Sequence, residues 1–169
     1  MATTQSQSSK SPLTKDGRAS ARPNDAVSDL MADHRTVEDL FKQYEKSKSD
    51  DAKKQSIAQQ IIAELRVHMV LEEEIFYPES RPFVDEQDTV NEAEVEHASA
   101  KDLMKQIEAM SPSDDYYDAK VKVLSEMIDH HVEEEETEYF PEVRRSDMDL
   151  KAVGEKMRTR KAELKTRPN

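Results

Sequence analysis

The chain repeats itself at an offset of 63 residues (97 − 34 and 131 − 68). That single shift lays His34 on His97, DLFKQYE (39–45) on DLMKQIE (102–108), His68 on His131, Glu72 on Glu135 and Pro78 on Pro141. A sequence built this way is expected to fold as two copies of one supersecondary unit, each burying its apolar face against the other.

The unit itself is helical. Val27, Leu30, Met31, His34, Val37, Leu40, Phe41 and Tyr44 recur at three- and four-residue steps, the period of an amphipathic helix. Ile57, Ile61, Leu65, His68, Glu72 and Ile75 form the stripe of a second helix over about 51–76, which Pro78 and Pro82 are expected to stop. Ala93, His97, Ala100, Met104 and Ile107 mark a third helix over about 88–110. Val121, Leu124, Ile128, His131 and Glu135 mark a fourth over about 114–139. Ser146 and Asp147 read as the cap of a shorter basic helix reaching about 165, interrupted by Gly154. With only two glycines in 169 residues, turn-rich β architecture is disfavoured. The expected fold is all-α: an antiparallel up-down-up-down four-helix bundle with an internal two-fold repeat, plus a short C-terminal helix. Residues 1–24, polar and with almost nothing to bury, read as a disordered tail; 25–145 form the bundle, and 146–169 the last helix and tail.

Charge narrows the partners. A net charge of −12 disfavours nonspecific nucleic-acid binding and docking on an anionic membrane. The absence of cysteine removes disulfides, thiolate metal sites and cysteine nucleophiles, and fits a reducing compartment. No apolar run approaches spanning length and the N-terminus has no secretory h-region, so a soluble cytoplasmic protein is expected.

The histidines carry the chemistry. In each of the four helices one histidine interrupts the apolar stripe, and on the second and fourth a glutamate follows at i+4 on the same face. Four imidazoles and two carboxylates pointed into a dry core are very costly without compensation, and a pair of dications supplies it economically. Each ion would take two histidines, with the glutamates bridging and water, oxo or hydroxo ligands completing the shells. A sulfur-free N/O donor set favours iron, with manganese or zinc as alternatives. One inward histidine alone is more often a hydrogen-bonded core residue; four at repeat-equivalent positions are not readily explained that way. Glu73, Glu74, Glu133, Glu134, Glu136 and Glu138 read as a solvated face. His130 reads as a surface or supporting residue, Glu38 and Lys101 as an interhelical or supporting pair. Glu94 with His97 makes one Glu-x-x-His, a motif that ferritin-like di-iron bundles need twice.

With His34, HMVLE (68–72) followed by FYP, His97, and HVEEE (131–135) followed by YFP, residues 26–143 resemble the hemerythrin-like, or HHE cation-binding, family. The resemblance implies a four-helix bundle around a non-haem di-iron centre with His34, His68, Glu72, His97, His131 and Glu135 as ligands. Lys101 stands where the oxygen-carrying invertebrate members place a further histidine, and the set looks closer to bacterial members linked to oxidative and nitrosative stress. The cysteine-containing segment typical of iron–sulfur repair members has no counterpart here. The function expected on this basis is binding of, or reaction with, O2, NO or peroxide, as sensor, scavenger or catalase-like enzyme, supplied by an unidentified redox partner. The alternative is iron storage or oxygen carriage without catalysis.

Overall fold

The computed structural model describes residues 24–85 and 87–166. The expected disordered tail therefore lies outside the described residues, except Asn24. Every regular element among the described residues is helical. Helix α1 spans Ala26–Glu45, opened by Asp25, whose carboxylate accepts the Ser28 N–H at 2.8 Å. Helix α2 spans Asp51–Leu71, capped in the same way by Asp50. After α4 (Gln87–Glu108) and α5 (Tyr117–Glu134), α7 (Leu150–Thr166) closes the described chain. Helix α1 packs along α2 and α4 along α5, with further contacts of α1 to α5 and α2 to α4.

Of the two prolines expected to stop the second helix, Pro78 does not, and the helical course ends only in a 3-10 turn at Pro82, Arg81–Phe83. Past Leu71 the chain winds through a π turn, Glu72–Phe76, and continues as α3, Tyr77–Ser80, straight through Pro78. Past Glu134 it does the same: a π turn, Glu135–Tyr139, leads into α6, Phe140–Arg145, through Pro141. The prolines lack the N–H that an α-helix would use, and the helix accommodates them by widening one turn instead of ending. Tyr77 N–H and Phe140 N–H reach five residues back, to the carbonyls of Glu72 and Glu135. Both π turns obey the 63-residue shift (135 − 72, 139 − 76) and both begin at an expected metal-ligand glutamate.

The apolar interior falls into two clusters. One holds Val37, Leu40, Phe41, Ile61, Leu65, Met104, Leu124 and Ile128. The other, at the π-turn end, holds Leu30, Leu71, Phe76, Tyr77, Ala93, Phe140, Val143 and Met157. Along each helix the histidine stands where one cluster gives way to the other, as in Leu30–His34–Val37. Helix α7 lies against α1 and α2. It is capped by Asp149, which accepts the Ala152 N–H at 3.0 Å, and not by Ser146 or Asp147 as the sequence suggests. Gly154 lets it come close: an added Cβ would lie 2.8 Å from the Ala26 nitrogen.

Candidate metal centre

His34, His68, Glu72, His97, His131 and Glu135 all reach the layer between the two clusters, and none is more than 4% exposed. The imidazoles meet in two pairs. His34 Nε2 and His68 Nε2 are 3.1 Å apart, as are His97 Nε2 and His131 Nε2. Glu72 spans the pairs, with Oε1 3.2 Å from His68 Nε2 and Oε2 3.3 Å from His97 Nε2. Glu135 does likewise through Oε2, 3.3 Å from His34 Nε2 and 3.6 Å from His131 Nε2. His34, His68, Glu72 and Glu135 thus offer one group of converging donor atoms, and Glu72, His97 and His131 a second, with Glu72 common to both.

The outer nitrogens are held by acids. His34 Nδ1 lies 2.9 Å from Glu136, His97 Nδ1 3.0 Å from Glu73 and His131 Nδ1 2.9 Å from Glu96. His68 Nδ1 faces Asp33 at 3.8 Å. These partners also obey the repeat, since 136 − 73 and 96 − 33 are both 63. Glu73 and Glu136 therefore do not belong to the solvated face: Glu136 is buried and both orient a histidine. Glu74, Glu133 and Glu138 are exposed as expected, and His130 is a surface residue. The expected Glu38–Lys101 pair is not formed. Glu38 binds Arg35, whereas Lys101 binds Glu73 at 2.5 and 2.6 Å. Glu94 turns to Arg81 at 3.1 Å, outside the centre.

One difference breaks the symmetry. Tyr77 and Phe140 are repeat equivalents, and each ring packs against a histidine, Phe140 on His34 and Tyr77 on His97. Only Tyr77 has a hydroxyl, and it donates to Glu135 Oε1 at 2.8 Å. Nothing in the helical periodicity signals this bond; the swapped order of Phe and Tyr in FYP and YFP is the signal that was available.

The site asks for positive charge. Glu72 Oε1, Glu72 Oε2 and Glu135 Oε2 are buried with no hydrogen-bond partner. A carboxylate holding Nδ1–H leaves the Nε2 lone pair pointing inward, so neutral His97 and His131 aim lone pairs at each other across 3.1 Å. In the bare chain protons fill this demand. Burial opposes charge on His68, but the carboxylates of Glu72, Asp33 and Glu135 outweigh it and lift the imidazole to about 10. His97 is lifted against burial to about 9 by Glu72 and Glu73. His34 is raised for the same reasons by Glu135 and Glu136. Burial also opposes ionisation of Glu72, yet His68 and His97 hold its carboxyl well below the usual range. Burial and the charges of Glu135 and Glu72 push Tyr77 far up, which keeps it an O–H donor. The donor set, the orphaned carboxylate oxygens and the paired Nε2 atoms all fit cations.

Fold and site together define an all-helical cation-binding domain. Residues 25–143 match the hemerythrin HHE cation binding domain family, and the chain belongs to it. A solved hemerythrin HHE cation binding domain-containing protein from Mycobacterium kansasii superposes with a TM-score of 0.72 at 21% identity, over 84% of this chain and 88% of that one. Among curated proteins, a DNA nickase from a Nostoc species is 36% identical over 115 residues, 68% of this chain and 32% of that protein. This chain thus spans about a third of the length of the curated relative it matches. No described helix is long and apolar enough to cross a membrane.

Proposed function

We propose that the chain is a non-haem di-iron protein, its four long helices running up-down-up-down around the metals, and that it binds and reacts with a small molecule of the O2, NO or peroxide class. His34 and His68 would hold one iron, His97 and His131 the other, with Glu72 and Glu135 shared between them. The observation that carries this reading is the pairing of Nε2 atoms at 3.1 Å beside buried, partnerless carboxylate oxygens. The imidazoles favour a first-row transition ion such as iron over magnesium, with manganese or zinc as alternatives. When bound, the metals supply the Fe(II)/Fe(III) redox change.

The chain's own residues set what reaches them. A cavity of about 10 Å³ borders the four histidines and Asp33, the rest of its wall formed by Val37, Leu65, Met69, Ile128 and Val132. That is about the room one water needs, and its aliphatic side suits a small uncharged guest. The carboxylates bonded to Nδ1 of His34, His97 and His131 fix those rings so that Nε2 faces inward, and Tyr77 holds Glu135 by one oxygen, leaving Oε2 for the centre. Tyr77 O–H is thus a proton donor in direct contact with one of the shared carboxylates. The buried centre gives a phosphodiester no approach to these six residues, and the nickase activity of the Nostoc relative, matched over 32% of its length, forms no part of this reading.

The test is metal content together with the optical spectrum in air, after dithionite, and with peroxide or NO. About two irons per chain, with bands that respond to these agents, support the reading. Protein purified without metal, unable to bind iron, refutes it. Turnover of peroxide separates reaction from carriage or storage.

A further inference from the structure

Four carboxylates face the outer nitrogens of the histidines, and three of them carry a fixed cation. Asp33 is paired with Lys161 from α7, Glu136 with Arg35, and Glu73 with Lys101. Glu96 is the exception: among the described residues no lysine or arginine lies within ion-pair distance of it. Its Oε2 binds His131 Nδ1 at 2.9 Å, and its Oε1 faces outward to His130 Nε2 at 3.7 Å. His130 Nε2 in turn lies 3.3 Å from Glu134 Oε1, one helical turn further along α5.

The repeat shows what is unusual here. The counterparts of Glu96, His130 and Glu134 in the first copy are Asp33, Val67 and Leu71. There the face is covered by α7: Leu71 is buried, and Val67, Met157 and Leu164 share its apolar cluster. Lys161 reaches from that helix onto Asp33. In the second copy no described helix covers the face, the two apolar residues are replaced by His130 and Glu134, and His130 is exposed. The position that an ammonium fills on one side is thus ringed by one nitrogen and two carboxylates on the other.

We propose that Glu96, His130 and Glu134 form an exterior divalent-cation site, taking a zinc-, manganese- or iron-class ion where the first copy uses Lys161. The donor atoms lie within 4.8 Å of one another. Two ligands each about 2.1 Å from one tetrahedral ion sit roughly 3.4 Å apart, and the observed separations of 3.3 and 3.7 Å bracket that value. One imidazole with two carboxylates is a donor set for Zn2+, Mn2+ or Fe2+, and water completes the shell at so open a position. Through Glu96 the ion would share a carboxylate with His131, which joins the surface to the buried centre. This inference concerns a separate group of residues and does not depend on what occupies the core.

Zn2+ is the probe. Calorimetric titration of the protein as purified, with the His130 ring protons followed by NMR, should show one zinc bound per chain with the His130 signals shifting in step. His130→Ala and Glu134→Gln should each weaken that binding about tenfold or more, while the metal content of the purified protein stays at the wild-type value. Zinc affinity and stoichiometry unchanged in both variants, or unshifted His130 resonances, would overturn the proposal. Because all six core residues are intact in both variants, a core that binds no metal appears as metal-free protein from every variant. The zinc difference between wild type and His130→Ala still decides the exterior site.

Discussion

Tyr77 and Phe140 occupy the same place in the two copies, and one oxygen atom separates them. Removing it is a controlled experiment, because Phe140 already shows that the bare ring packs there. Tyr77→Phe should fold normally and lower the stability of the metal-free protein by about 1.5–3 kcal/mol, the usual worth of a hydrogen bond to a buried charge. Thermal melts in the presence of chelator measure this; an unchanged midpoint would mean that Glu135 is satisfied some other way. Glu73 gives a second test at this scale. It holds His97 Nδ1 and is itself held by Lys101. Glu73→Gln should weaken metal binding about 10- to 100-fold, and Glu72→Ala should abolish the shared site. Metal retained at wild-type affinity in Glu73→Gln would show that His97 is oriented without it. The six central residues are legible in the sequence because each interrupts an apolar stripe at repeat-equivalent positions. Their carboxylate supports are not, since Glu73 and Glu136 sit in acidic runs where periodicity assigns them to solvent. Consecutive glutamates, 72 with 73 and 135 with 136, reach histidines at the point where each widened turn begins.

At the scale of elements, those π turns are the part of the fold that no residue announces. A proline reads as a stop, and the same letter permits a helix to pass if one turn opens to an i−5 bond. The pattern of hydrophobic residues does not distinguish the two outcomes; it does place all four long helices. Helix α7 was legible as a basic helix, but its purpose emerges only from contacts: Lys161 on Asp33, Arg160 on Glu74 at 2.7 Å and Arg158 on Asp29 at 2.5 Å. Gly154 sets the approach that makes these reachable. A Cβ there would meet main-chain atoms, Ala26 N at 2.8 Å and Asp25 C at 3.0 Å, which cannot swing aside. An alanine elsewhere in a helix would gain up to about 1 kcal/mol over glycine, but here overpacking of about 1–3 kcal/mol should win. Gly154→Ala is expected to lower the thermal midpoint by several degrees; a higher midpoint would show that α7 can back away freely.

Across the whole molecule, a charged layer lies between two apolar clusters, and its two ways of being neutralised have opposite pH dependence. In the metal-free chain protons do the work. His68 and His97, lifted to about 10 and about 9 from an ordinary 6.5, contribute stability that is complete below about 6.5. That contribution is lost as pH rises through 9 and then 10. Glu72, held below its ordinary 4.5, contributes stability that is present above that value and lost as pH falls through its lowered folded-state pKa. With metal bound the imidazoles must be neutral, so each ion displaces protons and its affinity rises with pH over the interval in which the bare protein weakens. Metal binding adds its own mass-action term to stability. The gap between loaded and metal-free thermal midpoints should therefore widen steadily from pH 6.5 to 9, and metal uptake at pH 7 should release protons. Melts at matched pH, with buffer-dependent calorimetry of metal addition, measure both. A gap that stays constant with pH, or uptake without proton release, would mean that the histidines are already neutral in the bare chain. Some other group would then balance Glu72 and Glu135.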